Sequence, residues 1–412
     1  MKIKLAQNPQ NALGAIALCA VTHFCGAACG QSWQTIDDFQ YVAGGSAYNT
    51  ALALTPNGTL LAAGYAGDLS GTWHALVMSS ADGGATWSPP LDDYTGPTSG
   101  DEALYYGIAS DRAGTLYAVG TYSDESDPNL TDHWVVRRRG AGGAGWTTVD
   151  DIAASGTWYN QANSAAADAA GNVYLAGLLS NSAWTIRKGV GGTNFATIDS
   201  VPSNGNAIGA SSILVHPTAG VFAAGQANVI VKGTSVAAWL VRRSTDGGTT
   251  WQTVDTIYSS QGASYCSGQA LSMATDFHGY LYVVGAIAIP YKGSYGWEWL
   301  VRRSTDGGNS WSTIDTYQLA PGDNSRATAV AADSTGNIYV AGYGNTTFYS
   351  SSHWIVRENP LGVGTWSTVE NYQLQPGNVA QAFAAAVSVS GSVFVGGGAG
   401  SSSGGHWLVR KR

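Results

Sequence analysis

The chain has 412 residues, of which 11% are charged, with 55 Gly, 15 Trp and a formal net charge of −8. That length fits two ordinary domains or one large all-β domain, and low charge with abundant Gly, Trp and Tyr suits short strands and tight turns rather than helices. An acidic balance without basic clusters argues against nucleic acid and anionic membrane surfaces as partners.

Residues 1–30 stand apart from the rest. Lys2 and Lys4 precede the apolar run ALGAIALCAVTHFC (12–25) and the small residues GAACG. This is the layout of a secretory signal, and the run is too short and too soon interrupted for a membrane span. Cleavage after Gly30 divides the chain into a signal peptide, 1–30, and one domain, 31–412, with no transmembrane segment. The expected location is secreted, periplasmic or cell-surface. A lipoprotein anchored at Cys29 is the less favoured alternative, because Gly26 stands where a lipobox carries Leu or a similar residue. Cys19, Cys25 and Cys29 leave with the leader, so Cys266 has no intrachain disulfide partner. Lys2 and Lys4 leave too: 19 less 2 is 17 Lys+Arg against 27 Asp+Glu, a formal charge of −10.

Self-similarity dominates residues 31–412. An aromatic recurs after a turn at Trp33, Trp87, Trp146, Phe195, Trp251, Trp311 and Trp366, with spacings of 54, 59, 49, 56, 60 and 55. Each unit reads as four short strands. In the sixth, RATAVAADSTGNIYVAGYG holds two strands around DSTGN, HWIVREN is a third and WSTVENY a fourth, with period-two alternation. The third-to-fourth turn is the most repeated phrase: SADGGATW (80–87), STDGGTTW (244–251) and STDGGNSW (304–311). A short acceptor such as Asp82, Asp246 or Asp306 can bond the N–H groups of its own turn, and the glycines supply positive φ. Trp87, Trp251 and Trp311 then fold back as apolar plugs.

These phrases resemble the Asp-box, or bacterial neuraminidase repeat, S-x-D-x-G-x-T-W, of sialidases and other β-propellers. DSTGNIYVAGYG and DAAGNVYLAGLL look like a second propeller signature, D-x-x-G-N-x-Y-V-x-G. Together they cover residues 31–412; the turns at 139–146, 188–195 and 358–366 have lost the Asp. The resemblance implies an all-β, seven-bladed β-propeller of four-stranded antiparallel blades. QSWQTIDDF (31–39) is a fourth strand without predecessors, and HWLVRKR (406–412) ends a blade with three. The N-terminal strand is therefore expected to complete the last blade and close the ring. In such propellers the Asp-box turns lie on the bottom face, and a sialidase active site lies on the top, at the mouth of the tunnel.

Residues repeated in nearly every blade point in several directions and cannot converge on one ligand. Trp134/Arg137, Trp184/Arg187, Trp239/Arg242, Trp299/Arg302, Trp354/Arg357 and Trp407/Arg410 occupy third strands, with Ala75 and Met78 in blade 1. Asp37, Asp92, Asp150, Asp199, Asp255, Asp315 and Glu370 end fourth strands. These predict interblade ion pairs, arginine and acid lying as diagonal neighbours through hairpin pairing. His74, His133, His353 and His406 share one repeat position, too widely separated for a common metal. No cofactor or metal is expected, a calcium in the acidic loop 121–133 being the weak exception.

Function is expected where blades differ. The starts of the first strands, at the tunnel mouth, hold Tyr48, Leu104, Gln161, Gly209, Gln269, Arg326 and Gln381. Nearby top loops add Asp101, Glu102, Trp158, Tyr159, Tyr258, Tyr265, Cys266, Tyr291, Tyr295, Trp297, Tyr343 and Tyr349. Flat aromatic faces with amides suit a glycan or an extracellular protein. The sialidase mechanism, as the resemblance implies, needs three clamp arginines. Outside the third strands and the chain's end only Arg112, in a bottom turn, and Arg326 remain, and no F/Y-R-I-P segment exists. Another glycosidase needs two carboxylates, for which Asp101 or Glu102 with Asp323 or Asp151 are the weak candidates. No G-x-S-x-G elbow or P-loop appears. The sequence therefore predicts a monomeric exported binding or scaffold propeller, with a polysaccharide hydrolase as the alternative.

Overall fold

The computed structural model describes residues 32–412 apart from 128–130, 144, 154–158, 180–182, 203–208, 260–267, 293, 348–350 and the side chains of 346 and 347. The leader with Cys29, and the candidates Trp158, Tyr265, Cys266 and Tyr349, lie outside the described residues. Among the described residues no helix is long and apolar enough to cross a membrane.

Strands dominate, in seven sheets of four. Blade 1 spans 47–94, blade 2 102–152, blade 3 161–201, blade 4 209–257, blade 5 268–317 and blade 6 325–372. Blade 7 takes three strands from 380–411 and its fourth, Gln34–Phe39, from the N-terminal side. That strand runs antiparallel to Gly404–Lys411, pairing Gln34 with Lys411 and Phe39 with Trp407. Each first strand touches the first strand of the next blade, and blade 7 touches blade 1. The chain is a seven-bladed β-propeller, closed as its termini predict.

Every first strand carries a bulge at one place, so that Thr50, Tyr106, Asn163, Ser211, Leu271, Thr328 and Phe383 are extra residues. The bulge pushes the preceding carbonyl against a glycine of the second strand. A Cβ at Gly64, Gly120, Gly177, Gly225, Gly285, Gly342 or Gly397 would lie 1.9–2.2 Å from that oxygen. In all but Gly120 it would also meet the edge of a tryptophan from the preceding blade, as Trp299 does at Gly342 (2.8 Å). The six third-strand tryptophans are 0% exposed. Each spans a seam, and cutting such a side chain to Ala costs about 3–5 kcal/mol.

The arginine slot works across the same seams. Arg187 gives Nε and Nη2 to Asp150 of the preceding blade at 2.8 Å each, and Nη1 to Thr197 of its own. Arg137–Asp92, Arg242–Asp199, Arg302–Asp255 and Arg357–Asp315 repeat the two-pronged clamp, and Arg410 reaches Glu370. The interblade pairing is as expected, but the route differs. In-register neighbours within the hairpin are Arg242 and Thr253, so the acid comes from the previous blade rather than the diagonal.

Where blade 1 substitutes Met78, the clamp is missing. Met78 packs with Trp407 and Ile36 at the blade 7–blade 1 seam, and one oxygen of Asp37 is buried there without a hydrogen bond. Burial first, then the adjacent Asp38 charge, push the Asp37 carboxyl up to about 7. The folded protein thus keeps a proton that the unfolded chain loses at about pH 4, so Asp37 lowers stability progressively as pH rises from about 4 to above 7. Asp37→Asn is expected to flatten that decline relative to wild type in thermal unfolding from pH 5 to 8. Met78→Arg is expected to supply the seventh clamp and add about 1.5–3 kcal/mol at pH 8, the worth of hydrogen bonds to a charged group; an unchanged melting profile in both variants would contradict this role for Asp37.

Candidate functional site

The repeated turns prove to be stitching. In each, Ser Oγ accepts from a glycine N–H and donates to the Asp, whose carboxylate also takes the N–H and hydroxyl of the residue before Trp. In blade 4 these bonds join Ser244, Asp246, Gly248 and Thr250 at 2.6–2.9 Å. Such bonds, the Thr or Ser hydroxyl first, hold Asp82, Asp246 and Asp306 well below the usual carboxylate range. The tryptophans do more than plug. Trp87 Nε1 bonds Ile36 O of the preceding blade at 3.0 Å, and Trp146 bonds Leu91 O at 2.8 Å. Trp251 differs, bonding Gly248 O of its own turn at 3.2 Å; Trp311 Nε1 is buried without a partner among the described residues.

Histidine positions are equally structural. Nδ1 of His74, His133 and His406 meets Asp93, Asp151 and Asp38 of its own blade's fourth strand at 2.6–2.7 Å, and His353 meets Asn371. Among the described residues no group of three or more His, Cys, Asp or Glu is placed to hold a metal ion. In the acidic loop 121–133, Asp124 accepts from Ser126 and Asp132 from Ser123.

The bulge residues, two positions beyond the predicted mouth ring, line a cavity of about 240 Å³ on the ring axis, to which all seven first strands contribute. Several of their polar groups face the next blade. Thr50 Oγ1 donates to Tyr105 O, Thr328 Oγ1 to Ala382 O, and Asn163 Nδ2 to Ala210 O, at 2.7–2.9 Å. Nothing in the sequence marks this layer, because a bulge hides in a strand whose alternation merely slips by one.

One layer above, the predicted mouth residues fall into sectors. In blades 4–6 the structure brings Gln269 and Arg326 together, Arg326 Nη1 donating to Gln269 Oε1 at 2.6 Å. The guanidinium also lies 4.3 Å from the Trp297 ring centroid, a cation–π contact. Gln226 extends the chain of amides, within 3.4 Å of Gln269. Trp297 belongs to the hairpin Leu281–Tyr291/Ser294–Ser304, longer than those of blades 1–3 because its pairing continues out to Tyr291 and Ser294. Trp297 N–H bonds Asn324 Oδ1 at 3.1 Å, fixing that hairpin to the loop that also holds Asp323. Asp323 takes part through its backbone, accepting from Gln318 Nε2 at 3.0 Å.

The other sectors are less connected. Tyr48 packs on Tyr65, centroids 5.4 Å apart, in blade 1. Gln161 Nε2 bonds Asn163 at 2.9 Å, Tyr159 beside it is 54% exposed, and Gln381 is half-buried in blade 7. Among the weak catalytic candidates, Asp101 is fully buried, accepting from Thr98 N–H and hydroxyl and from Glu125 N–H at 2.7–3.2 Å. Asp151 is held by His133 and by the Tyr122 hydroxyl. Glu102 stays half-buried; burial first, then Glu125 and Asp68, raise its carboxyl above the usual range. Asp101 and Glu102 enter blade 2, whereas Asp323 precedes blade 6, so these carboxylates stand in different sectors of the ring.

No family model and no curated protein matches the chain. Solved structures do. A protein of unknown function from Dyadobacter fermentans matches at TM-score 0.51 and 11% identity, over 92% of this chain and 98% of that one. A GH74 xyloglucanase from Xanthomonas campestris matches at 0.52 and 17%, over 88% of this chain and 52% of that longer one. An α-L-arabinanase from Penicillium chrysogenum, complexed with arabinobiose, matches at 0.50 and 15%, over 90% and 98%. At these identities the likeness is one of fold.

The contrast between Asp101 and Glu102 can be measured. Asp101→Ala leaves two N–H groups and a hydroxyl without their acceptor and is expected to destabilise the domain by about 1–3 kcal/mol in denaturant unfolding. Glu102→Gln is expected to cost less than about 0.5 kcal/mol, as half-buried positions outside such networks do.

Proposed function

We propose that the protein is an exported Asp-box propeller that binds a glycan or an extracellular protein on its top face, as a binding or scaffold module. The observation that supports this is the Trp297–Arg326–Gln269 group. It offers a planar aromatic edge, a guanidinium with unspent donors and a row of amides at the tunnel mouth, the equipment for sugar hydroxyls and ring faces. Export rests on the leader's layout, and the Asp-box assignment on the phrase and its bonds. Catalysis is not required: one arginine at the mouth cannot form a three-arginine clamp, and Asp101 is consumed by its own loop.

A second reading, a glycoside hydrolase acting on polysaccharide, is favoured by one observation. The Glu102 carboxyl is raised by burial and by neighbouring acids, the direction a general acid requires. The folds of the xyloglucanase and arabinanase agree with either reading.

A glycan array followed by calorimetry on the purified protein separates the two. Arg326→Gln and Trp297→Ala are each expected to weaken top-face binding about tenfold, or about 1.4 kcal/mol. No turnover of aryl-glycosides or xyloglucan is expected. Hydrolysis that disappears in Glu102→Gln would overturn the binding reading in favour of the hydrolase.

A further inference from the structure

The bottom of most seams is filled to one pattern. Six blades place a buried ring at one second-strand position: Tyr117, Tyr174, Phe222, Tyr282, Tyr339 and Phe394. Each pairs in register with the residue after the clamp arginine, a Lys or Arg in five blades, as Tyr174 with Lys188, Phe222 with Arg243 and Phe394 with Lys411, and Glu358 opposite Tyr339 in blade 6. The cation lies over its ring, 5.2–5.6 Å from the centroid in those three pairs. It then reaches the next blade's third-to-fourth turn. Lys188 Nζ donates to Gly247 O at 2.8 Å, Arg303 to Gly362 O at 2.6 Å and Lys411 to Gly83 O at 3.0 Å.

Blade 1 has neither part. Its register pair is Leu61 with Ser79. The room that a ring and a long cation occupy elsewhere remains as a groove of about 430 Å³ between blades 1 and 2, floored by Leu61, Leu91 and Leu116. Blade 2 supplies two arginines to it: Arg112 stands where no other blade has one, and Arg139 where only blade 7 does, its Arg412 being spent on Glu358 at 2.8 Å. Arg112 stands in the first turn where other blades carry Pro56, Ala169, Pro217, Phe277, Ser334 or Val389, and Arg139 stands where the repeated turns carry Ser80, Ser244 and Ser304. Arg112 is exposed, and no hydrogen bond or ion pair engages it among the described residues. Arg139 spends Nε on Gly143 O at 2.8 Å and keeps its terminal nitrogens. Among the described residues no carboxylate lines the groove; the adjacent Asp111 uses Oδ1 on the N–H groups of Ala113 and Thr115.

Departures from the repeat in two different blades therefore meet at one seam, giving an apolar floor under an unneutralised cationic rim in an acidic protein. We propose that this groove binds a small organic acid, its apolar or aromatic body on the three leucines and its carboxylate between Arg112 and Arg139. The volume falls within the roughly 300–1,000 Å³ of small-molecule pockets, and a guanidinium suits a carboxylate better than any neutral donor. The leucine floor favours an acyl or aryl group over a sugar ring, which prefers an aromatic face. This site lies on the opposite face from the glycan site and does not rest on it.

The test is a fluorescence titration of the purified protein with anilinonaphthalene sulfonate, an aromatic anion, followed by displacement with phenylbutyrate and with its neutral amide. One saturable site is expected, displaced by the acid about tenfold or more better than by the amide. Arg112→Gln is expected to erase that preference. Leu61→Tyr combined with Ser79→Lys restores the pattern of the other blades, and is expected to close the site while the unfolding midpoint holds or rises. The proposal fails if no saturable site exists, if acid and amide compete equally, or if either folded variant binds as wild type does. Should the double variant not melt cooperatively, Arg112→Gln, a change at an exposed side chain, decides alone.

Discussion

The interlock at the seams carries this protein. A single four-stranded blade buries neither face by itself, and its outer strand leaves an edge open. What turns seven such sheets into one body is an indole pressed on a glycine across six of the seams, with an arginine gripping the preceding blade's acid at six. The glycine is there for proximity rather than for backbone conformation: the bulge carbonyl and the indole edge leave no space for a methyl group. Buried ion pairs add little net energy compared with apolar contacts of the same shape, but they penalise any misregister of the blades, since a displaced arginine would leave two buried charges unpaired. Pairing the N-terminal strand with the C-terminal one then completes the last blade and closes the ring.

Once those groups serve the ring, little recurring chemistry is left for ligands. Aspartates of the turns, histidines of the third strands and the bulge hydroxyls of Thr50 and Thr328 have partners within or between blades. The capacity to recognise something lies in the exceptions. Blade 1 is the largest of them, lacking the tryptophan, the clamp arginine, the seam ring and the seam cation together. The missing arginine leaves Asp37 uncompensated at one seam, and the missing ring and cation open a groove at the other.

The top face shows a different kind of exception. There the blades keep their framework but lengthen one hairpin, and the longer hairpin of blade 5 delivers an indole to an arginine rooted in blade 6. Carboxylates in the same region follow opposite courses. Asp101 is neutralised as a functional group by three donors of its own loops, while Glu102, one residue along, is half-buried among acids with its proton held more tightly. Asp101 ends the loop before the strand and is tied back to Thr98, whereas Glu102 is the strand's first residue, which is why two neighbouring acids meet such unlike surroundings.

Blade count, the four-strand unit, ring closure and the scaffold residues were all legible in the chain alone, because they obey local rules: alternation, turn chemistry and a period near 55 residues. The propeller resemblance, laid on those rules, implied Gln269 and Arg326 on one rim and Arg112 on the opposite face. Neither revealed that Arg326 rests on Trp297, that the arginine clamps bind the preceding blade rather than their own hairpin, or that Leu61 and Ser79 face Arg112 and Arg139. Each of these is a contact between blades whose members lie tens of residues apart. Spacing along a chain fixes the direction in which a side chain leaves its strand, but the twist and packing angle of adjacent sheets fix what it meets, and that exists only once the ring has closed.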